Sequence, residues 1–304
     1  LIGDKVKNFL VSILLCFAGI TNATETIKIY SPYSPGHSAT PALFKVVDEA
    51  NAMQSIYKFV VEFKPGGNQV IAVKSLDENS IAIIAPAYVE NLAAGRLQEN
   101  DYTPVYAFGD ACWAVVTNKP LTGQKEFVVG GVGFGNAAHL TALALGEKHK
   151  FDVRYIVFRS NNDALVNMVG NNGVEFVIDK YEGYESLKTK NLKMQMVAAS
   201  CPARLPQEPK IKTLKEMGID APYIFNIAVA QRQMPEGRRK AIGIILTNAT
   251  NKVGEAEIFK LSAMRPPQFD GVSTEEFYTK SVDQVKRLQA KYRKQIEDSQ
   301  KSTR

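Results

Sequence analysis

Residues 130–140 read Gly-Gly-Val-Gly-Phe-Gly-Asn-Ala-Ala-His-Leu, with the apolar triplet Phe127-Val128-Val129 before them. A helical pattern carried by Leu140, Leu143 and Leu145 follows. The chemistry open to such a stretch is anion binding by the main chain. Glycines let backbone N–H groups turn inward with no Cβ in the way. Asn136 is placed to cap the helix, whose first N–H groups lack internal partners and carry its positive dipole end. The N–H groups of Phe134, Gly135 and Asn136, with Gly133 before them, are the candidate donors to a carboxylate. A tight strand-to-helix turn with no ligand is the competing reading, and both stay open on these residues alone.

Other chemistries fit less well. A dinucleotide fingerprint needs G-x-G-x-x-G and an acid about twenty residues on. Here the run is Gly131-x-Gly133-x-Gly135, and Arg159 and Ser160 stand where the acid would be sought. No G-x-x-x-x-G-K-[ST] or G-x-S-x-G occurs. His37, His139 and His149 lack metal-ligand spacing. His139 with Asp179 could be drawn as a dyad, but no nucleophile is placed beside it. The expectation is a binding protein without catalysis, metal or cofactor.

The elements that must position this stretch alternate between strand and helix, which argues an α/β fold. Residues 27–30, 59–63, 81–84, 113–116, 127–129, 155–158, 174–178 and 194–199 read as strands. Thr40 is expected to cap a helix with Pro41 in its first turn and Leu43, Phe44 and Val47 on its buried face. Residues 163–169 and 213–217 read as shorter helices, and Ser273-x-x-Glu276 as the capping box of a long one. That last helix sets Phe277, Val285, Leu288, Tyr292 and Ile296 near one face.

The first 23 residues read as an export signal: Lys5 and Lys7, an apolar run from Phe9 to Ile20, and small residues at Thr21-Asn22-Ala23. Cys16 lacks the small residue expected before a lipid-anchored cysteine. The remaining chain, about 280 residues, exceeds one ordinary core and predicts two lobes. Lobe 1 is expected over 24–117 and 222–304 and lobe 2 over 118–221, with the first crossover in the Pro-containing segment 117–120. The formal charge of +6 is scattered among acids and is not clustered with aromatics, which argues against a nucleic-acid groove. Cys112 and Cys201 could bridge in an oxidising compartment, which sequence leaves undecided.

Four stretches in order carry a family resemblance. Pro32-Tyr33-Ser34-Pro35-Gly36-His37-Ser38-Ala39 is similar to P-F-P-P-G-G-x-[ST], and Lys64-Pro65-Gly66-Gly67-Asn68 to R-P-G-A-G-G-N. Gly131 to Leu140 is similar to S-x-G-x-G-S-x-x-H-L. Arg204-Leu205-Pro206-Gln207-Glu208-Pro209, with Glu216-Met217-Gly218, is similar to R-x-x-x-L-P-D-V-P-T-x-x-E-x-G. Over residues 26 to 300 the chain resembles the substrate-binding proteins of tripartite tricarboxylate transporters, the Bug family.

The resemblance implies a two-lobed periplasmic binding protein fold of type II-like topology. It implies a small organic acid held between the lobes by backbone N–H groups and water, a periplasmic location, and two membrane partners, a large and a small subunit. The receptor itself is expected as a monomer. Tyr33, Ser34, Gly36, His37, Ser38, Gly67 and Asn68 are expected to face the cleft from lobe 1, with Tyr88 as a wall. Gly133, Phe134, Gly135, Asn136, His139, Arg159, Ser160 and Asp179 are expected to face it from lobe 2. Arg159 could pair with a carboxylate or sit in a surface ion pair. Departures at Thr40, His37, Asn136 and Phe158-Arg159-Ser160 fall in cleft loops and point to a ligand other than the commonest one. A ligand-binding partner of a sensor kinase, or an exported enzyme, are the alternatives.

Overall fold

The structure is a computed structural model and describes residues 24–35, 39–189, 193–201, 203–222, 225–254, 264–265 and 273–302. The expected signal segment, and the site candidates Gly36, His37 and Ser38, lie outside the described residues.

Two sheets organise the chain. The first is built from β1 (Glu25–Ser31), β2 (Tyr57–Phe63), β3 (Ser80–Ile84), β4 (Tyr102–Ala111), β10 (Phe225–Gln231) and β11 (Met264–Arg265), in the order β11-β4-β10-β3-β1-β2. The second holds β5 (Trp113–Thr117), β6 (Glu126–Gly131), β7 (Asp152–Val157), β8 (Phe176–Lys180) and β9 (Gln195–Ser200), in the order β7-β6-β8-β5-β9. Three neighbouring parallel strands in each sheet are followed by one antiparallel strand contributed from across the molecule. β10 pairs antiparallel with β3 and β4, and β5 pairs antiparallel with β8 and β9. The two halves thus repeat one plan and exchange a strand.

The chain passes between sheets at Cys112, the single residue between β4 and β5. The expected crossover at 117–120 is therefore too late. Trp113-Ala114-Val115-Val116 is a strand of the second sheet, paired antiparallel between β8 and β9. The return passage precedes β10.

Helices close both sheets. α1 (Thr40–Met53) and α7 (Glu236–Val253) bury Leu43, Val47, Ile242 and Leu246 against the outer face of the first sheet. α5 (Asn161–Val169) and α6 (Tyr181–Leu187) bury Leu165, Met168 and Tyr184 against the outer face of the second. The inner faces share one core. It runs from Tyr30 and Ile84 through Tyr88 of α3 (Pro86–Ala93) and Leu140 of α4 (Ala137–His149) to Phe127 and Ile178. α8 (Thr274–Lys291) adds Tyr278, Val282, Val285 and Leu288 to that core, and α9 (Arg293–Ser302) follows it. A short α2 (Val70–Lys74) completes the helices described.

Some local expectations change. Thr40 does not cap α1; Ala39 holds that position, and the Thr40 hydroxyl donates to the Ser34 carbonyl at 3.2 Å. Phe44 lies exposed, edge-on to Phe63, while Val46 takes its place on the buried face. Residues 213–217 make turns, not a helix. There Thr213 and Glu216 exchange hydrogen bonds with each other's backbone N–H, but no helix continues. Ser273 caps α8 as expected, accepting from the Glu276 N–H at 3.1 Å.

Candidate functional site

The glycine stretch sits where β6 hands over to α4, at the carboxyl edge of the second sheet. In open α/β sheets that edge is where loops converge on ligands. Gly130 and Gly131 end β6. A Cβ on Gly131 would overlap the Tyr155 hydroxyl, so this glycine is required by the tyrosine that β7 presents beside it. Gly135 has φ +70°, the left-handed conformation that costs a glycine nothing. Asn136 then caps α4, its Oδ1 accepting from the His139 N–H at 2.8 Å.

His139 is fully buried and stacked on Tyr155, with ring centroids 4.1 Å apart and planes 26° apart. Its Nδ1 accepts from the Gly135 N–H at 3.0 Å. Burial lowers its pKa to about 4, so the ring is neutral near pH 7. The proton then belongs on Nε2, which has no acceptor among the described residues. The Tyr155 hydroxyl donates to Asn136 Oδ1 at 3.4 Å and is hydrogen-bonded by the Gly133 backbone. The imidazole and phenol thus form a pillar beneath the loop.

That pillar changes which main-chain groups can meet a ligand. The Gly135 N–H, one of three donors expected to hold a carboxylate, is committed to His139. The Ala137 N–H is also committed: it donates to Glu90 Oε1 of α3 at 3.2 Å. The N–H groups of Phe134 and Asn136 have no acceptor among the described residues. Behind the loop, Gln289 of α8 donates to the Gly135 carbonyl at 2.9 Å, and Ile296 of α9 lies against Gly135. Gly133, Phe134, Gly135 and Asn136 line one cavity of about 1080 Å³, facing Glu90 of α3 and Arg293 of α9.

The remaining candidates are not among the residues that line this cavity. The Tyr33 hydroxyl donates to Asn226 Oδ1 of β10 at 2.6 Å, and burial raises its pKa. Ser34 is exposed in the loop after β1. Gly67 opens the turn before α2 at φ +56°, and Asn68 is the next residue of that turn. Arg159 is exposed between β7 and α5. The Ser160 hydroxyl is engaged as the cap of α5, accepting from the Asp163 N–H at 3.0 Å.

Asp179 lies at the carboxyl end of β8, one residue before its last. It is buried against Gly183 and hydrogen-bonded by Asn161. Burial raises its pKa, opposed in smaller part by the Lys180 backbone N–H and ammonium and then by Asn161. Tyr88 does not line the cavity at the glycine loop. It is fully buried, and its hydroxyl is 2.9 Å from that of Tyr278 on α8, because α3 turns this side into the shared core. Glu90 and Gln289 were not among the expected site residues. Both are polar positions on amphipathic helices, and only the packing of those helices brings them to the loop.

Cys112 and Cys201 are joined as a disulfide, with Cα atoms 5.0 Å apart. The bridge ties the crossover between sheets to the end of β9. No group of His, Cys, Asp and Glu suited to hold a metal ion occurs among the described residues. Among them, no helix is long and apolar enough to cross a membrane.

No protein-family profile and no curated protein matches the sequence. Solved structures do match its shape. A TctC solute-binding protein from Polaromonas superposes with TM-score 0.71 at 18% identity, covering 89% of this chain and 100% of the other. The periplasmic binding protein BugD gives 0.62 at 16% identity, covering 89% of this chain and 97% of its own. MatC from Rhodopseudomonas palustris, solved with bound malate, gives 0.62 at 15% identity, covering 88% and 99%. The fold of this chain is the mixed α/β, two-lobed fold of these periplasmic binding proteins.

Proposed function

We propose that this protein is an exported solute receptor of the tripartite tricarboxylate transporter type, capturing a small organic carboxylate between its lobes. The observation that carries the reading is the pair of uncommitted N–H groups at Phe134 and Asn136. They stand at the start of a thirteen-residue helix and open on the cavity. Main-chain donors at a helix N-terminus suit a carboxylate without a charged side chain. The neighbours' shape and the four sequence stretches support the same class, and MatC, one of those neighbours, was solved with malate.

On this reading the chain performs no chemistry. It acts in the periplasm as a monomer and passes its ligand to a large and a small membrane subunit. Tyr33, Ser34, Gly67 and Asn68 supply the opposing lip, and Arg159 offers a peripheral cation. Closing the lobes would be a hinge motion about the crossovers.

Calorimetry against mono-, di- and tricarboxylates, malate among them, tests this. The expected result is saturable one-site binding of at least one acid. The Phe134→Pro chain, which lacks that N–H, should bind it at least tenfold more weakly. A flat response across the panel would overturn the reading.

A further inference from the structure

Glu90 makes a contact that joins the two halves of the molecule. It rides α3, which follows β3 of the first sheet, whereas the Ala137 N–H it accepts from opens α4 behind β6 of the second. The carboxylate is half-buried and lines the same cavity as Phe134 and Asn136. Its charge reaches Tyr155 under the loop, adding in small part to the burial that raises that phenol's pKa. An acid in the first turn of a helix is held by unpaired N–H groups and by the dipole. The chain has placed its own carboxylate where the sequence pattern offers a place to a ligand's.

We propose that Glu90 is an affinity-setting residue: it is the internal occupant of the α4 N-terminus, and a carboxylate ligand binds in competition with it. The proposal rests on the receptor reading above. A ligand carboxylate on the Phe134 and Asn136 N–H groups comes beside the Glu90 charge. Like charges at short range inside a half-buried site oppose each other strongly. Occupancy by the ligand therefore requires Glu90 to swing off Ala137, which also releases the bond between the lobes. Removing the charge while keeping the side chain's shape removes the competitor.

Glu90→Gln is the discriminating variant, because its amide oxygen still accepts from Ala137. Malate titrations of both chains at low salt should show E90Q binding at least tenfold tighter. The gap should narrow as added salt screens the charge. A second measurement needs no ligand: in 1H–15N spectra of the free protein, the Ala137 amide proton should move upfield in Glu90→Ala.

Binding by E90Q alone, or tighter binding by E90Q, supports the proposal. Equal or weaker malate binding by E90Q, with wild type binding normally, overturns it and leaves the receptor reading standing. An unmoved Ala137 amide overturns it regardless of any ligand. Failure of both chains to bind any carboxylate overturns both readings. Thermal melting of each variant confirms that it is folded.

Discussion

His139 shows how one buried side chain can serve the loop above it. Its ring is neutral because burial depresses its pKa from 6.5 to about 4. Between those values the unfolded chain takes up a proton that the folded chain refuses. The stability that neutral His139 contributes is therefore complete above pH 6.5 and is lost as pH falls toward 4. By pH 4.5 the loss should reach roughly 2–3 kcal/mol. Urea unfolding at pH 7 and pH 4.5 should show this slope in the wild type and a shallower one in His139→Gln. Equal slopes would mean that the imidazole is not held neutral. The histidine's position after the cap was readable from the sequence. Its use as an acceptor for the Gly135 N–H was not, since that depends on the ring plane set by Tyr155, nineteen residues past the Asn136 cap.

The elements were legible where apolar periodicity was unbroken. β1, β3, β6 and α8 lie where the pattern placed them, and the Asn136 and Ser273 caps fix the starts of α4 and α8. β4 and β10 were not read as strands. Their residues mix polar and apolar types, and they pair with each other across a large gap in sequence with irregular register. α7 also went unread, because Gly, Arg and Lys dominate its first turns.

Glycine spacing told more than expected. Gly131 was read as part of an anion loop, whereas its service is to let β7 bring the Tyr155 hydroxyl against β6. Gly131→Ala should therefore cost about 3 kcal/mol, measured by urea denaturation. Gly237→Ala, at a glycine without positive φ and with open space around its Cβ position, should cost less. Similar losses at the two glycines would remove the steric argument.

At the scale of the molecule, the passage between sheets and the disulfide coincide. The bridge closes a separation of 89 residues, which contains all of β5 to β9. Closing so long a loop restricts the unfolded chain, and its loss costs about 3–5 kcal/mol. The Cys112→Ser/Cys201→Ser chain should melt at lower temperature by that equivalent, and reductant should lower the wild type to match. No shift with reductant would show that the bridge is absent in solution. Sequence could not settle this pairing, because it depends on β9 returning beside the crossover.

The inner core is finished by residues that follow both sheets in the chain. Tyr278, Val282, Val285, Leu288 and Tyr292 complete it, and Lys291 and Tyr292 fasten to Glu147 on α4 at 2.5 and 2.6 Å. During synthesis these residues leave the ribosome after the strands of both sheets. Until then both sheets carry an uncovered apolar face, and the nascent polypeptide is held short of its final compactness. A chain truncated before Thr274 would have that seam open, prone to clump and quick to be degraded.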